Sequence, residues 1–448
     1  MRIKLDIPIN TKDIACFTGG KTEIDQEISY ICTNSKEAHN GDLFVALSGE
    51  RFNGEDFVTE AILKKAIPMT TVDHVDSIIV SNTREALLML AGYYQSKLPK
   101  LRKTIAITGS VGKTTTKEFT EKILSTEYNV HKTFDNQNNE IGVSLTILST
   151  PKDTEILLLE IGMNHKGELL RISKCIYIDL ALITNIGTAH IGNLGSREEI
   201  AKAKLEVTEG RGKAILFAPF NELLLKSKRS ISFSTEDKNA DYCIVNNHKN
   251  KYILYEKDEK KIELKFELLN SYLIECLCAA ISISRELNVN VEKIQSGISL
   301  ISNENIRQSV IQAKNFYFLS DCYNASYESV KASIDYLYSL DMYTKKSVLL
   351  GDILELGSYS EDIHRRIAHL LFSKHINLVF LFGKQVRYIM DEAIELGMPS
   401  DKILINDSHD HLITARQILS KTSDGEIILV KGSRRMKMER IIELCNMA

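Results

Sequence analysis

One nine-residue segment, Thr108 to Thr116, constrains the fold more than any other part of this chain. It reads Thr-Gly-Ser-Val-Gly-Lys-Thr-Thr-Thr and follows the apolar run Thr104 to Ile107, which predicts a buried strand. Glycines let backbone N–H groups curve around a phosphate, and a helix that starts at such a loop adds positive potential. The segment therefore predicts a strand, a phosphate-binding loop and a helix in succession, although Ile107 stands where the general pattern has its first glycine.

The same order of elements recurs along the chain. Six other apolar runs end abruptly in Gly, Asp, Glu, Asn or Lys, and a helical stretch follows each one. These runs are Ile156 to Leu159, Leu180 to Ile183, Phe316 to Leu319, Val348 to Leu350, Leu378 to Phe382 and Ile427 to Val430. Apolar runs without alternation are typical of strands buried on both faces, and intervening helices predict right-handed βαβ units. We therefore expect an α/β fold with mostly parallel sheets, whose ligands bind at the carboxyl ends of the strands.

The length of 448 residues exceeds what one hydrophobic core normally organises. An apolar run that ends at Val80 closes a first unit, which we place at residues 1–82. A helix from Thr83 to about Ser96 leads into a second unit, residues 83–313, which contains the phosphate loop. The strand pattern restarts near Lys314, so a third unit is expected at residues 314–448.

The net charge and the apolar pattern argue against two kinds of partner, nucleic acid and a membrane. The formal net charge is −3, so no basic excess exists to neutralise a nucleic-acid backbone. No stretch of about 18 apolar residues is present, and membrane insertion is not expected. The eight cysteines are scattered, which is typical of reduced thiols in a cytoplasmic protein.

Individual residues at the predicted strand ends suggest chemistry. In the loop, Lys113 is placed to reach the terminal phosphates of a nucleotide, and a threonine hydroxyl such as that of Thr114 can hold Mg²⁺. Glu160 ends a strand and is either a metal ligand or a cap of the following turn. His190, in the loop after the next strand, is either functional or structural.

The loop resembles the nucleotide loop of the Mur ligases, which usually reads T-G-S/T-x-G-K-T-T. Further resemblances to the same family cover nearly the whole chain, from about Ile31 to Glu439. They are Asn138-Asn139-Glu140-Ile141-Gly142-Val143, Glu160-Ile161-Gly162-Met163-Asn164-His165, Ile183 to His190, Gly351-Asp352-Ile353-Leu354-Glu355-Leu356-Gly357 and Lys431-Gly432-Ser433-Arg434. The resemblance implies three domains: an N-terminal substrate-binding domain, a central ATP-binding domain and a Rossmann-like C-terminal domain.

The resemblance also implies site residues and cofactors, namely ATP and Mg²⁺. It implies nucleotide contacts from Gly109, Ser110, Gly112, Lys113, Thr114, Thr115, Asn138, Arg307, Asp321, Tyr323 and Asn324. It implies Mg²⁺ ligation by Thr114, Glu160, His190 and Lys204, the last as a carbamate formed from the lysine amine and CO₂. Lys202 is the competing candidate for that carbamate. The catalytic set implied is Lys113, Glu160, His190 and Lys204.

The implied activity is ATP-dependent amide-bond formation through an acyl phosphate. The implied partners are a UDP-linked muramoyl tripeptide and D-alanyl-D-alanine as the amine donor, with a monomeric enzyme expected. Ser35, Lys36 and Asn139 are the expected substrate contacts, since Thr33-Asn34-Ser35-Lys36 falls where the family has T-D-S-R.

Some positions depart from the family pattern. Asn34 and Lys36 replace Asp and Arg, and Glu55 replaces His. The H-N-x-x-N stretch expected to touch adenine reads Ser271 to Glu275, and Ser326-Tyr327 replaces N-P. These departures keep two alternatives open: a paralogous ligase that joins another acid and amine, such as a folylpolyglutamate synthase-like enzyme, and a non-catalytic nucleotide-binding partner protein.

Overall fold

The computed structural model describes residues 1–49, 52–220, 230–248, 250–257, 261–267, 271–301 and 309–447. Its strands form three separate sheets of five, nine and six strands in chain order. The expected α/β fold is confirmed, and each apolar run singled out in the sequence overlaps a strand. Within the described residues, no helix is both long and apolar enough to cross a lipid bilayer.

The first sheet has strand order β1-β2-β3-β4-β5. Its strands are β1 (Arg2–Asn10), β2 (Glu27–Cys32), β3 (Leu43–Val45), β4 (Ile67–Thr70) and β5 (Ile78–Ile79). The pair β1–β2 is antiparallel, whereas β2 to β5 pair in parallel. Its helices are α1 (Thr11–Thr18) and α2 (Val58–Leu63).

The second sheet carries the phosphate loop in its parallel half. Its strands are β6 (Lys103–Thr108), β7 (Val130–Lys132), β8 (Ile156–Glu160), β9 (Leu180–Ile183), β10 (Ile215–Pro219), β11 (Ser230–Ser234), β12 (Tyr242–His248), β13 (Lys251–Glu256) and β14 (Lys261–Lys265). The spatial order is β14-β13-β12-β11-β10-β9-β6-β8-β7, so β6 lies between β8 and β9. The three strands that end at Thr108, Glu160 and Ile183 are thus neighbours, and the loops that follow them meet at one edge.

Helices cover this second sheet and connect its strands. They are α3 (Thr83–Lys97), α4 (Lys113–Leu124), α5 (Glu140–Leu148), α6 (Glu168–Cys175), α7 (Ile191–Leu194), α8 (Arg197–Leu205), α9 (Ser271–Glu286) and α10 (Val291–Ser299). Helix α4 packs against α9, and the side chains between them form a buried cluster that includes Phe119, Ile123 and Leu277. This packing fixes the direction in which the first turn of α4 faces.

The third sheet has strand order β15-β16-β20-β17-β18-β19. Its strands are β15 (Ser309–Ala313), β16 (Phe316–Asp321), β17 (Lys346–Gly351), β18 (Val379–Phe382), β19 (Ile403–Asn406) and β20 (Ile427–Lys431). Its helices are α11 (Tyr327–Ser339), α12 (Ser360–Ser373), α13 (Arg387–Glu395), α14 (His411–Lys421) and α15 (Glu439–Met447). All pairs except β15–β16 are parallel. The division at 82/83 and 313/314 stays a prediction, and β15 already belongs to this sheet five residues before Lys314.

Candidate active site

The phosphate loop connects β6 to α4 and is held by the segment that follows β9. The Ser110 N–H donates to the Asn185 carbonyl at 3.2 Å, and the Val111 N–H donates to Asn185 Oδ1 at 3.0 Å. Gly109 adopts a φ of 146°, and a Cβ there would lie 1.9 Å from Thr184 Oγ1. A glycine is therefore required at position 109. Asn185 holds the loop through these two hydrogen bonds. It was not predicted as a site residue, although the I-T-N motif that contains it was recognised.

Lys113 begins helix α4, immediately after the loop. Its amine donates to the Gly109 carbonyl at 2.8 Å, so the side chain folds back over the loop. Gly112, the residue before the helix, has a φ of 90° and no side chain to cap the helix. The N–H groups of a first helical turn are a favourable position for a phosphate, and Lys113 would add a positive charge there.

A buried carboxylate, Glu160, lies beside the loop with 1% of its surface exposed. One of its oxygens accepts from Thr114 Oγ1 at 2.8 Å, and the other accepts from Asn138 Nδ2 at 2.9 Å. Lys117, also 1% exposed, brings its amine to 3.7 Å from Glu160 Oε2 and donates to the Thr133 carbonyl at 2.8 Å. Lys117 was missed because it follows the motif, and the sequence alone does not show which way its side chain points.

The oxygen atoms of Glu160 and Thr114 are suitable ligands for a hard divalent cation. A carboxylate and a hydroxyl oxygen are 2.8 Å apart and belong to residues that line the same cavity. The described part of the chain contains no group of three or more His, Cys, Asp and Glu side chains that could hold a metal. Mg²⁺ is commonly held by one or two protein ligands, with phosphate oxygens and water completing the shell, so these residues fit that ion.

His190 lies in the left-handed region, with a φ of 63°, just before α7. Its Nδ1 is 2.8 Å from Glu355 Oε2, a residue that follows β17 of the third sheet. Burial is the main cause that lowers the pKa of His190; the Glu355 carboxylate opposes it, and the charges of Lys113 and Lys204 add to it. The neutral ring that results is the form that binds metals.

The two lysines proposed for carbamate formation differ sharply. Lys204, in α8, is 1% exposed, and its pKa is lowered well below the usual value, first by burial and second by the charge of Lys113. Lys202 has 64% of its side chain exposed and pairs with Glu199 at 2.5 Å, which raises its pKa. Carbamate formation needs a neutral amine, so the surroundings of Lys204 favour it and those of Lys202 oppose it.

A cavity of about 720 Å³ lies between the units built on the second and third sheets. Of the predicted residues, its lining contains Ser110, Gly112, Lys113, Thr114, Thr115, Asn138, Asn139, Glu160, His190, Asp321, Tyr323 and Asn324. Gly109 and Lys204 are not among the residues that line the cavity, and Arg307 lies outside the described residues. The structure thus brings most of the predicted nucleotide site together.

Lys431 and Asp321 form a buried ion pair on the third-sheet wall of this cavity. Lys431 Nζ donates to Asp321 Oδ2 at 2.7 Å and to the Asn324 carbonyl at 3.0 Å. Ser333 Oγ donates to the same Asp321 oxygen at 2.6 Å. Lys431 was recognised only as part of a motif, yet its amine links Asp321 and Asn324 at the rim.

Tyr272 occupies the stretch that departs from the family pattern and was not predicted as a site residue. It lines the cavity, and a Cβ on Gly112 would lie 3.1 Å from its hydroxyl oxygen. Burial raises the pKa of this phenol well above the usual value, so it stays protonated. The sequence alone did not indicate that Tyr272 lines the cavity, because the family pattern has other residues in this stretch.

The predicted substrate residues of the first sheet lie away from the cavity lining. Ser35 Oγ donates to Glu60 Oε2 at 2.7 Å, and Lys64 Nζ donates to the carbonyls of Ser35 and Lys36 at 2.7 and 2.9 Å. Asn139, which does line the cavity, caps α5 by accepting from the Gly142 N–H at 2.9 Å.

Comparisons with known proteins agree with this geometry. A model of the Mur ligase middle domain matches residues 107–284, and one of the Mur ligase, glutamate ligase domain, matches residues 306–434. The UDP-N-acetylmuramoyl-tripeptide–D-alanyl-D-alanine ligase of Bacillus subtilis (strain 168) is 33% identical over 430 residues, which covers 92% of each chain.

Solved structures give the same answer. MurF from Acinetobacter baumannii has a TM-score of 0.85 and 26% identity, covering 99% of this chain and 100% of that one. MurF from Thermotoga maritima in complex with ADP has a TM-score of 0.78 and 27% identity, covering 93% and 97%.

The phosphate loop, the buried carboxylate and the two-walled cavity define a nucleotide-dependent ligase fold, and the chain belongs to the Mur ligase family. Within that family, the chain is similar over nearly its whole length to UDP-N-acetylmuramoyl-tripeptide–D-alanyl-D-alanine ligases and to solved structures named MurF. The resemblance recognised from the motifs is confirmed.

Proposed function

We propose that this chain uses ATP to add D-alanyl-D-alanine to a UDP-N-acetylmuramoyl-tripeptide, the reaction named for its relatives. The observation that carries the proposal is the cavity in which the phosphate loop and Glu160 face Asp321, Tyr323 and Asn324 of the third sheet. A nucleotide bound there would contact both walls, and such contacts would supply the positioning and charge stabilisation on which phosphoryl transfer mainly depends.

The reaction would proceed in two steps. A carboxylate oxygen of the tripeptide attacks the γ-phosphorus of ATP, and ADP leaves, so that an acyl phosphate forms. The amine nitrogen of D-alanyl-D-alanine then attacks the acyl carbon, phosphate leaves, and the nitrogen loses a proton to give the amide.

The residues of this chain would act by position and charge. Lys113 would contact the terminal phosphates from the start of α4, and the donors at Lys431 and Ser333 keep Asp321 fixed at the opposite wall. Thr114, Glu160, His190 and a Lys204 carbamate would hold Mg²⁺. When bound, this ion would neutralise phosphate charge. Arg307 remains part of the proposed nucleotide contacts.

The remaining features of the proposal concern partners. The UDP end of the acceptor would bind at the first sheet near Ser35 and Lys36, and Asn139 would contact the acceptor at the cavity. A monomeric enzyme in the cytoplasm, where ATP is supplied, completes the proposal.

A substrate panel tests this function. Purified enzyme with ATP and Mg²⁺ is given the UDP-linked tripeptide with D-alanyl-D-alanine, or a folate with glutamate, and phosphate release and product mass are measured. We expect ADP, phosphate and a pentapeptide product only with the first pair. Turnover of the folate pair would favour the paralogous ligase, and no turnover of either pair, with nucleotide still bound, would favour the non-catalytic protein.

A further inference from the structure

Two carboxylates of the unit built on the third sheet, here called the third-sheet unit, contact the loop that bears His190. Glu328, in the first turn of α11, accepts from the Thr188 N–H at 2.9 Å and from Thr188 Oγ1 at 3.0 Å. Glu355, after β17, brings Oε2 to 2.8 Å from His190 Nδ1. The conformation of this loop in the second-sheet unit is therefore set by residues of another unit.

The backbone around His190 and Glu355 is shaped for this contact. Both residues lie in the left-handed region, with φ values of 63° and 66°, which non-glycine residues rarely adopt. The Gly192 N–H donates to the Glu355 carbonyl at 3.1 Å, and a Cβ on Gly192 would lie 2.6 Å from that oxygen. Two strained residues held together by a close backbone contact indicate a built site rather than a chance encounter of side chains.

The chemistry of the pair determines the state of the ring. A carboxylate accepts hydrogen bonds and donates none, so Nδ1 carries the proton in this contact. The other nitrogen, Nε2, then has the lone pair. Histidines that bind metals commonly donate their second N–H to such a carboxylate, which fixes both the tautomer and the ring orientation.

We propose that Glu355 is a positioning residue for His190: it holds the Nδ1–H tautomer and keeps Nε2 available to a ligand in the cavity. Because Glu355 belongs to the third-sheet unit, His190 becomes competent only when that unit lies against the second. This inference rests on the proposed function for its consequence in catalysis, whereas the tautomer itself does not depend on that function.

The contact has little bearing on folding. Glu355 has 44% of its side chain exposed, and the net contribution of a single hydrogen bond to such a solvent-accessible carboxylate is small, since water can replace the donor. Replacing it should leave the unfolding temperature nearly unchanged. A loss of function in such a variant would therefore report on the position of the ring.

The experiment compares three variants. Glu355→Met removes the acceptor and keeps an unbranched side chain, whereas Glu355→Gln keeps an oxygen that can accept from Nδ1–H. Tyr359→Phe is the matched control, since Tyr359 donates to the Gly195 carbonyl at 2.6 Å across the same interface without contacting His190. The ring nitrogens of ¹⁵N-histidine-labelled enzyme are observed by NMR without metal or nucleotide, and ligation is measured separately.

We expect the Nδ1–H tautomer in wild type, Glu355→Gln and Tyr359→Phe, and its loss in Glu355→Met. Ligation should fall about 10- to 100-fold in kcat for Glu355→Met, the usual cost of removing such a partner, and at most about fivefold for Glu355→Gln. An unchanged tautomer in Glu355→Met, or an equal change in Tyr359→Phe, would overturn the proposal. If the tautomer shifts while no variant ligates the proposed substrates, the positioning role stands and the proposed function fails.

Discussion

The nucleotide side of the molecule and its first sheet use polar side chains in opposite ways. At Glu160, side chains from α4 and from the segment before α5 converge on a carboxylate that lines an open cavity. At Ser35, the serine hydroxyl and the amine of Lys64 donate hydrogen bonds to acceptors within the unit built on the first sheet. The first region is organised before a ligand arrives, whereas the second must exchange internal hydrogen bonds for contacts with a substrate. The difference predicts which substitutions act on chemistry and which act on binding.

The largest effect should come from the phosphate loop. Lys113→Ala removes the cation nearest the expected phosphates, and ligation should fall by about 10²–10³ or more, the usual cost of one electrostatic stabiliser. Phosphate release in the full reaction measures it. Lys122→Ala, at the last turn of the same helix, is the matched control and should remain active. Near-normal turnover of Lys113→Ala would remove the loop from the nucleotide site.

The next effect should separate the two lysines of α8. Lys204→Ala should lose about two orders of magnitude in activity, at the upper end for a residue that supports a metal site, and acetate should restore part of it. Lys202→Ala should stay active. Because burial lowers the pKa of Lys204, its neutral amine can take up CO₂, so wild-type activity should fall in bicarbonate-free buffer. Full activity of Lys204→Ala there, or an inactive Lys202→Ala, would refute the assignment.

A third effect concerns stability on the nucleotide side, where α9 departs from the family pattern. Burial, with a smaller contribution from Glu236, raises the pKa of Glu275 to about 7. The folded protein then holds a proton that the unfolded chain has lost, so stability falls as pH rises from about 4.5 to 7 and stays lower above it. The change is up to about 3 kcal/mol.

Thermal unfolding at pH 5 and pH 8 measures this effect. Glu275→Gln should gain stability relative to wild type at pH 8 and not at pH 5. Glu292→Gln, an exposed acidic residue in the first turn of α10, is the control and should show no such difference. A pH-independent difference between Glu275→Gln and wild type would mean that the carboxylate is already ionised in the fold.

The smallest effect should come from the first sheet. Lys36→Ala should raise the KM for the UDP-linked acceptor about fivefold, the value of roughly one hydrogen bond, and leave the KM for ATP unchanged. Lys4→Ala, exposed on β1, is the control. An equal rise in the KM for ATP would show that the two regions are not independent, and the comparison between them would fail.

Local patterns predicted much of the architecture. Apolar runs located β6, β8, β9, β16, β17, β18 and β20, because burial on both faces leaves a direct trace in composition. Strand β19 of the third sheet is only partly buried and was not predicted. The loop and its helix followed from glycine spacing and a strand before it. The family resemblance favoured Lys204 over Lys202, which lies two positions earlier and so on a different helix face, and the structure places them in the interior and on the surface respectively.

The contacts between units were not predictable in the same way. His190 and Glu355 are 165 positions apart, and Lys431 lies 110 positions from Asp321. Periodicity within a segment carries no information about which loops of two different sheets will face each other. The burial of Lys117 beside Glu160 was missed for the same reason, because it depends on how α4 packs over β8.

The two-walled cavity has a consequence for the kinetics of inhibition. Glu160 and Lys113 form one wall, and Asp321 and Tyr323 form the other. A small molecule that binds both walls must lose its contacts with both before it dissociates, so its release would be slower while the second- and third-sheet units stay together. A compound of equal affinity that binds only the first wall would leave faster. The time for which the site stays occupied after free compound is removed would therefore depend on reach across the cavity more than on the strength of any one contact.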